Sequence, residues 1–252
     1  MITDPVFYLV AIPGVLIAGV AKGGFGGLMV MAVPVMALLR DPREVAAILL
    51  PILCVMDLFS VWKFRGYWDV ANLRLLLPAS LVGIAIGAAS FHWLDANALR
   101  LIIGVIALGF IANWWFKRKR ATAPHVPSNM QGYFWGMLAG FTSFSAHSGT
   151  APASMYLLPQ QLDKMRLAGT FAVFFAFVNY VKLVPYSFLD QLPVTNLTTS
   201  LVLLPVGYVG VKLGFWMHGR VSEKRYYQIS YSLLFILSLK LLYDALLHYW
   251  PN

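Results

Sequence analysis

The stretch "IAGVAKGGFGGLMVMAVP", residues 17–34, decides the fold. It is apolar at both ends and carries one lysine, Lys22, beside four glycines, Gly23, Gly24, Gly26 and Gly27. Glycine disfavours a helix interior, and a charge is costly in an apolar setting. A hydrophobic segment is thus broken at its centre, with a positive charge at the break.

Outward from this break the chain stays apolar. Long runs occupy 45–62, 75–91, 99–116, 167–187, 198–217 and 226–248. Each has about the length of a bilayer-crossing helix, roughly 20 residues. Hydrophobic residues make up 60% of the chain and charged residues 12%, whereas a soluble domain has about half and about a quarter. The composition points to an all-α polytopic membrane protein and leaves too little polar surface for a soluble core. The net charge of +9 fits Lys and Arg gathered in cytoplasmic loops, so it implies no nucleic-acid partner. The single cysteine, Cys54, precludes an intrachain disulfide. The N-terminus "MITDPVFYLV" lacks a basic leader region, which argues against a cleaved signal peptide.

The chain repeats itself. Residues 77–87 read "LPASLVGIAIG" and residues 204–214 read "LPVGYVGVKLG", an offset of 127. Leu94 and Val221 share that offset. Nearer the start the offset is 121, which pairs Gly19 with Gly140 and Arg43 with Lys164. The second copy therefore has six additional residues, expected in the loop 186–197. Each copy reads as a Gly-rich broken segment, 6–39 or 132–159, followed by three spans. The organisation is one transmembrane domain: repeat 1 over 1–116, a charged cytoplasmic linker over 117–131 and repeat 2 over 132–252.

Charge decides how the broken segment runs. If it is a hairpin, loops 63–74, 117–131, 160–166 and 218–225 share a side and hold twelve Lys and Arg, against three opposite. If it crosses once, the two sides hold eight and seven. The positive-inside rule selects the hairpin. Each repeat then makes an odd number of crossings, so the repeats are inverted, a recurring plan of secondary transporters. Both termini are expected outside, in the periplasm. The arms of the second hairpin, 132–143 and 147–159, reach only about 20 Å against a hydrocarbon core of about 30 Å. This hairpin is expected to be re-entrant. The longer first arm of the first hairpin, 6–22, leaves open whether that one crosses fully.

The tips "AKGGFGG" (21–27) and "SFSAHSG" (143–149) are expected to approach each other at mid-membrane from opposite faces. Broken backbone at that depth is tolerated only inside protein or beside water. The second arm of each hairpin starts at its tip, so its N–H groups and positive dipole end face the cavity. Glycines allow close approach of an anion to such an end. Lys22 adds charge, Ser143, Ser145, Ser148 and Thr150 add hydroxyls, and His147 adds a titratable group. Donors and positive charge point to a small oxyanion. Against this stand close helix packing as the use of the glycines and snorkelling as the use of Lys22. Asp57 and Lys182 are ionisable groups inside spans, which mark function by default.

The chain resembles the TauE/SafE family of bacterial membrane transporters, the sulfite exporters. The resemblance rests on "AKGGFGG" with "AVP" after it, "AAILLPIL" followed by Asp57, and "LLP" with Gly83 and Gly87. It rests also on "SFSAHSGTAPASMYLLPQ" followed by "GTFAVFFAFVNYVK". In the relatives a Gly-Gly-Pro-Pro-like run follows Ala-His-x-Gly; here it is "SGTAP", with Pro152 retained. The resemblance implies export of sulfite or organosulfonates, an inner-membrane location and no prosthetic cofactor or metal. Carried onto this chain, it implies substrate contacts at Lys22, Gly24, Gly26, Gly27, His147, Ser148, Gly149, Asn179 and Lys182. The expectation is an alternating-access anion transporter rather than an enzyme, with Asp57 or His147 placed to carry a coupling proton. Its partners are a small anionic substrate and the lipid bilayer; oligomeric state is left open. An anion channel and an intramembrane hydrolase built on a serine near His147 are the alternatives.

Overall fold

The computed structural model describes residues 1–91 and 127–249, and between them residues 101, 104, 105, 108 and 112. Most of the expected span 99–116 and of the linker falls outside the described residues. All regular structure described is helical. The helices are α1 (Pro5–Lys22), α2 (Met29–Met36), α3 (Pro42–Lys63), α4 (Val70–Ala89), α5 (Asn129–Ala146), α6 (Thr150–Leu157), α7 (Lys164–Phe188), α8 (Val194–Arg220) and α9 (Glu223–Tyr249). Among the described residues five of them, α1, α3, α4, α7 and α8, are long and apolar enough to cross a membrane.

The chain divides into two compact units, Met1–Leu73 with Met165–Ser222, and Arg74–Lys164 with Glu223–Asn252. Each draws helices from both halves of the sequence.

In the first unit, Asp4 caps α1 by accepting from the Val6 N–H at 2.9 Å, and Pro5 occupies the first turn, where its missing N–H costs nothing. The helix stops at Gly23. A 3₁₀ turn, Gly26–Leu28, leads into α2. The chain then folds back: a Cβ on Gly14 would meet Met36 Cγ at 2.5 Å and Ala32 O at 3.1 Å. The broken segment is therefore a hairpin. Its second arm has eight residues, about 12 Å of helix, which is too short to span a hydrocarbon core of about 30 Å. The core beside it holds Phe7, Val15, Ile48, Leu53, Met56 and Val211, all below a few per cent exposure.

In the second unit, Ser128 and Gln131 form a capping box at the start of α5. The turn falls at His147–Gly149, so Ser143 and Ser145 lie in the first arm rather than at the tip. The second arm, α6, again has eight residues. Tyr227 of α9 donates its hydroxyl to the Leu162 carbonyl just beyond it.

The two units repeat one packing register. Gly19 of α1 abuts Gly207 and Gly210 of α8, and a Cβ there would lie 2.6 Å from Gly207 O. Gly140 of α5 abuts Ser80 of α4, and its Cβ would lie 2.3 Å from Ser80 O. Gly210 faces Leu16 O as Gly83 faces Met137 O, and Gly214 faces Gly23 as Gly87 faces Phe144. These partners match under the sequence offsets of 121 and 127. Each hairpin's first helix thus packs on the second span of the other half. In lipid, helices gain little by hiding apolar surface from one another, so close backbone approach at small residues supplies the attraction.

The six additional residues of the second half do not lie in a loop. Helix α7 runs on to Phe188, α8 begins at Val194, and the connection spans only residues 189–193. Backbone groups in an apolar medium must bond internally, so additional residues at the ends of spans are taken up as helix.

Candidate functional site

The first tip is built at the end of α1. The C-terminal carbonyls of a helix lack partners within it. The Lys22 carbonyl accepts from the Ser60 hydroxyl of α3 at 2.8 Å, which fixes the break against that helix. Gly24 has φ +123°, and a Cβ there would lie 2.7 Å from His218 Cδ2; backbone and space both demand glycine. Gly26 and Gly27 form the 3₁₀ turn.

Lys22 turns inward. Its Nζ donates to Asp57 Oδ1. Asn179 Nδ2 donates to Asp57 Oδ2 at 2.7 Å. Asp57 is fully buried, and the Lys22 side chain is 10% exposed. The ammonium also lies 5.5 Å from the Phe175 ring centroid, within range of a cation–π attraction. Lys182 is fully buried and interacts electrostatically with both Lys22 and Asp57. Phe175, Asn179 and Lys182 follow at helical spacing on one face of α7. The structure thus unites four residues that the sequence treats separately: Lys22, Asp57, Asn179 and Lys182. A carboxylate holds Lys22, a pairing that the sequence does not show. The physical reason is burial: a cation removed from water needs a counter-ion.

Two residues of this site escaped the sequence reading. Ser60 follows Asp57 by three positions, so both lie on one face of α3. His218 is 3% exposed and packs at the tip, 6.3 Å from Phe25 and 5.3 Å from Phe64 between ring centroids. It continues the Gly207, Gly210, Gly214 stripe of α8 at helical spacing, a periodicity that the sequence displays.

The second tip belongs to the other unit. His147 ends α5 in the left-handed conformation, φ 49°, where glycine is the usual residue. For a side chain with a Cβ that conformation costs roughly 1–2 kcal/mol. His147, Ser148, Gly149 and Thr150 are all buried, and Gly149 precedes the N-terminus of α6. The Ser145 hydroxyl donates to Phe141 O at 3.0 Å, so that donor serves its own helix. Among the described residues no group of three or more His, Cys, Asp or Glu is arranged to hold a metal ion.

The family model for the sulfite exporter TauE/SafE matches residues 11–241. The chain belongs to this family. Comparison with curated proteins and with solved structures gives no match. The match begins within α1 and runs past His218, so it includes both tips. With its five candidate spans, this TauE/SafE chain is a multi-pass membrane protein of an anion-exporter family.

Proposed function

We propose that this chain exports a small sulfur oxyanion, sulfite or an organosulfonate, from the cytoplasm to the periplasm across the bacterial inner membrane, and that it works by alternating access. The observation that carries the reading is the buried set Lys22, Asp57, Asn179 and Lys182 beside a glycine-broken tip. Lys22 brings an ammonium to this buried place, and the buried Lys182 interacts with the same carboxylate. Lys22 is the more exposed partner of Asp57, and its three donors can turn to an incoming oxyanion. Gly24, Gly26 and Gly27 keep side chains away from the approach. The second tip, with His147, Ser148 and Gly149, is a second anion-handling element on this reading. Its strained histidine supports that role, since strain of this kind gathers at functional sites. Both termini lie in the periplasm on the charge count.

The test is flux of radiolabelled sulfite in proteoliposomes, comparing the wild type with the double variant Lys22→Gln/Asp57→Asn. Removing both partners of a buried pair is often neutral for folding, so the variant isolates function. Loss of one charge-assisted contact is worth about a factor of 10 and of a whole site about 100 or more, so sulfite flux is expected to fall by about 100-fold. Wild-type flux in that variant would overturn the reading.

A further inference from the structure

We propose that Asp57 is a resident counter-ion, which the transported anion displaces from Lys22 and which returns to Lys22 once the anion has left. The inference rests on the reading that the anion binds at Lys22.

The geometry is that of a competitor. Asp57 sits on α3, fully buried, with one oxygen on Lys22 and the other on Asn179. Lys22, on the end of α1, is the more exposed partner. An anion arriving at the tip therefore meets the ammonium before the carboxylate. Displaced from Lys22, Asp57 is not stranded. Asn179 holds its second oxygen at 2.7 Å, and the buried Lys182 interacts with it through charge. Asp57 thus keeps Asn179 as a donor and Lys182 as a neighbour when it gives up Lys22.

Charge explains why such a group is needed. A buried ammonium without a partner is costly in a membrane protein. With anion bound, Lys22 is neutralised by the cargo. After release, the same lysine must pass through the return step, and Asp57 supplies the missing negative charge. The cargo and the carboxylate alternate on one ammonium. A carrier lacking the carboxylate returns only when it is loaded, so it exchanges anions but does not export them.

The experiment uses Asp57→Asn, nearly isosteric, in proteoliposomes with radiolabelled sulfite as the probe. Two rates are measured: net efflux into sulfite-free buffer, and exchange of internal label against external sulfite. Net efflux is expected to fall by about 100-fold, because an uncompensated buried charge must now be carried on the return. Exchange is expected to persist with a KM for sulfite about tenfold lower, because the competing carboxylate is gone. Wild-type net efflux in Asp57→Asn, or loss of exchange together with efflux, overturns the counter-ion. Failure of the anion site itself shows differently: Lys22→Gln/Asp57→Asn would then exchange sulfite at the wild-type rate. Should Asp57→Asn not fold, infrared difference spectra of the wild type on adding sulfite decide. A shift of an ionised carboxylate band, absent from Lys22→Gln/Asp57→Asn, is expected. No shift, or a protonated carboxyl band marking a proton carrier, overturns the proposal.

Discussion

Lys22 is held by a carboxylate 35 positions away, and that carboxylate by an amide 122 positions further on. Removing one member of such a buried set costs more than removing two. Lys22→Ala leaves Asp57 buried with half its partners, a loss of about 3–5 kcal/mol, whereas replacing both partners with uncharged groups is near neutral. The purified Lys22→Ala protein is therefore expected to melt well below the wild type, and Lys22→Ala/Asp57→Asn to recover most of the difference. A thermal-melting cycle in detergent measures it. Lys22 as a functional lysine was legible in the sequence, because it interrupts an apolar run. Its partner was not, because Asp57 is one carboxylate in the middle of another helix with nothing local to say where it points. Asn179 entered only through family resemblance, and the structure gives it a physical role as the donor to Asp57 Oδ2.

At the scale of elements, two helix pairs share one contact pattern. Gly210 against Leu16 and Gly83 against Met137 are equivalent positions. A methyl group at Gly83 would lie 1.9 Å from Met137 O, and one at Gly210 would lie 2.6 Å from Leu16 O. Both obstacles are backbone, so the helices must part. Gly83→Ala and Gly210→Ala are each expected to destabilise by about 1–3 kcal/mol. Gly219→Ala, where nothing lies within 4 Å, is the control and is expected to melt no lower than the wild type. The repeat itself was readable as "LPASLVGIAIG" against "LPVGYVGVKLG". That each hairpin helix packs on the span from the other half was not readable, because repeated glycines show which surfaces come close without naming their partner. The same limit explains the misplaced six residues: 186–197 mixes polar and apolar side chains, and only backbone hydrogen bonding makes its ends helix.

At the scale of the whole molecule, charge on the cargo is the property to measure. Competition against radiolabelled sulfite in proteoliposomes is expected to rank methanesulfonate, an anion, about tenfold ahead of dimethyl sulfone, its uncharged analogue, since a charge-assisted contact with Lys22 is worth about that factor. Equal inhibition by both would contradict an anion site at Lys22.

Sequence alone settled the class of molecule, four of the six expected spans and the break at Gly23–Gly27; the expected span 226–248 is a helix but, among the described residues, not one of those long and apolar enough to cross. These follow from local causes: apolar length, glycine at a helix end, and the demand that every backbone group in lipid bond within its own segment. The tertiary structure decided which faces meet. Spans set in hydrocarbon can be apolar all round, so they show no clear polar stripe to point inward, and packing is chosen by close contact between distant segments. That choice carried Asp57 and Asn179 to Lys22. It turned a lone charge on a broken helix into a compensated one.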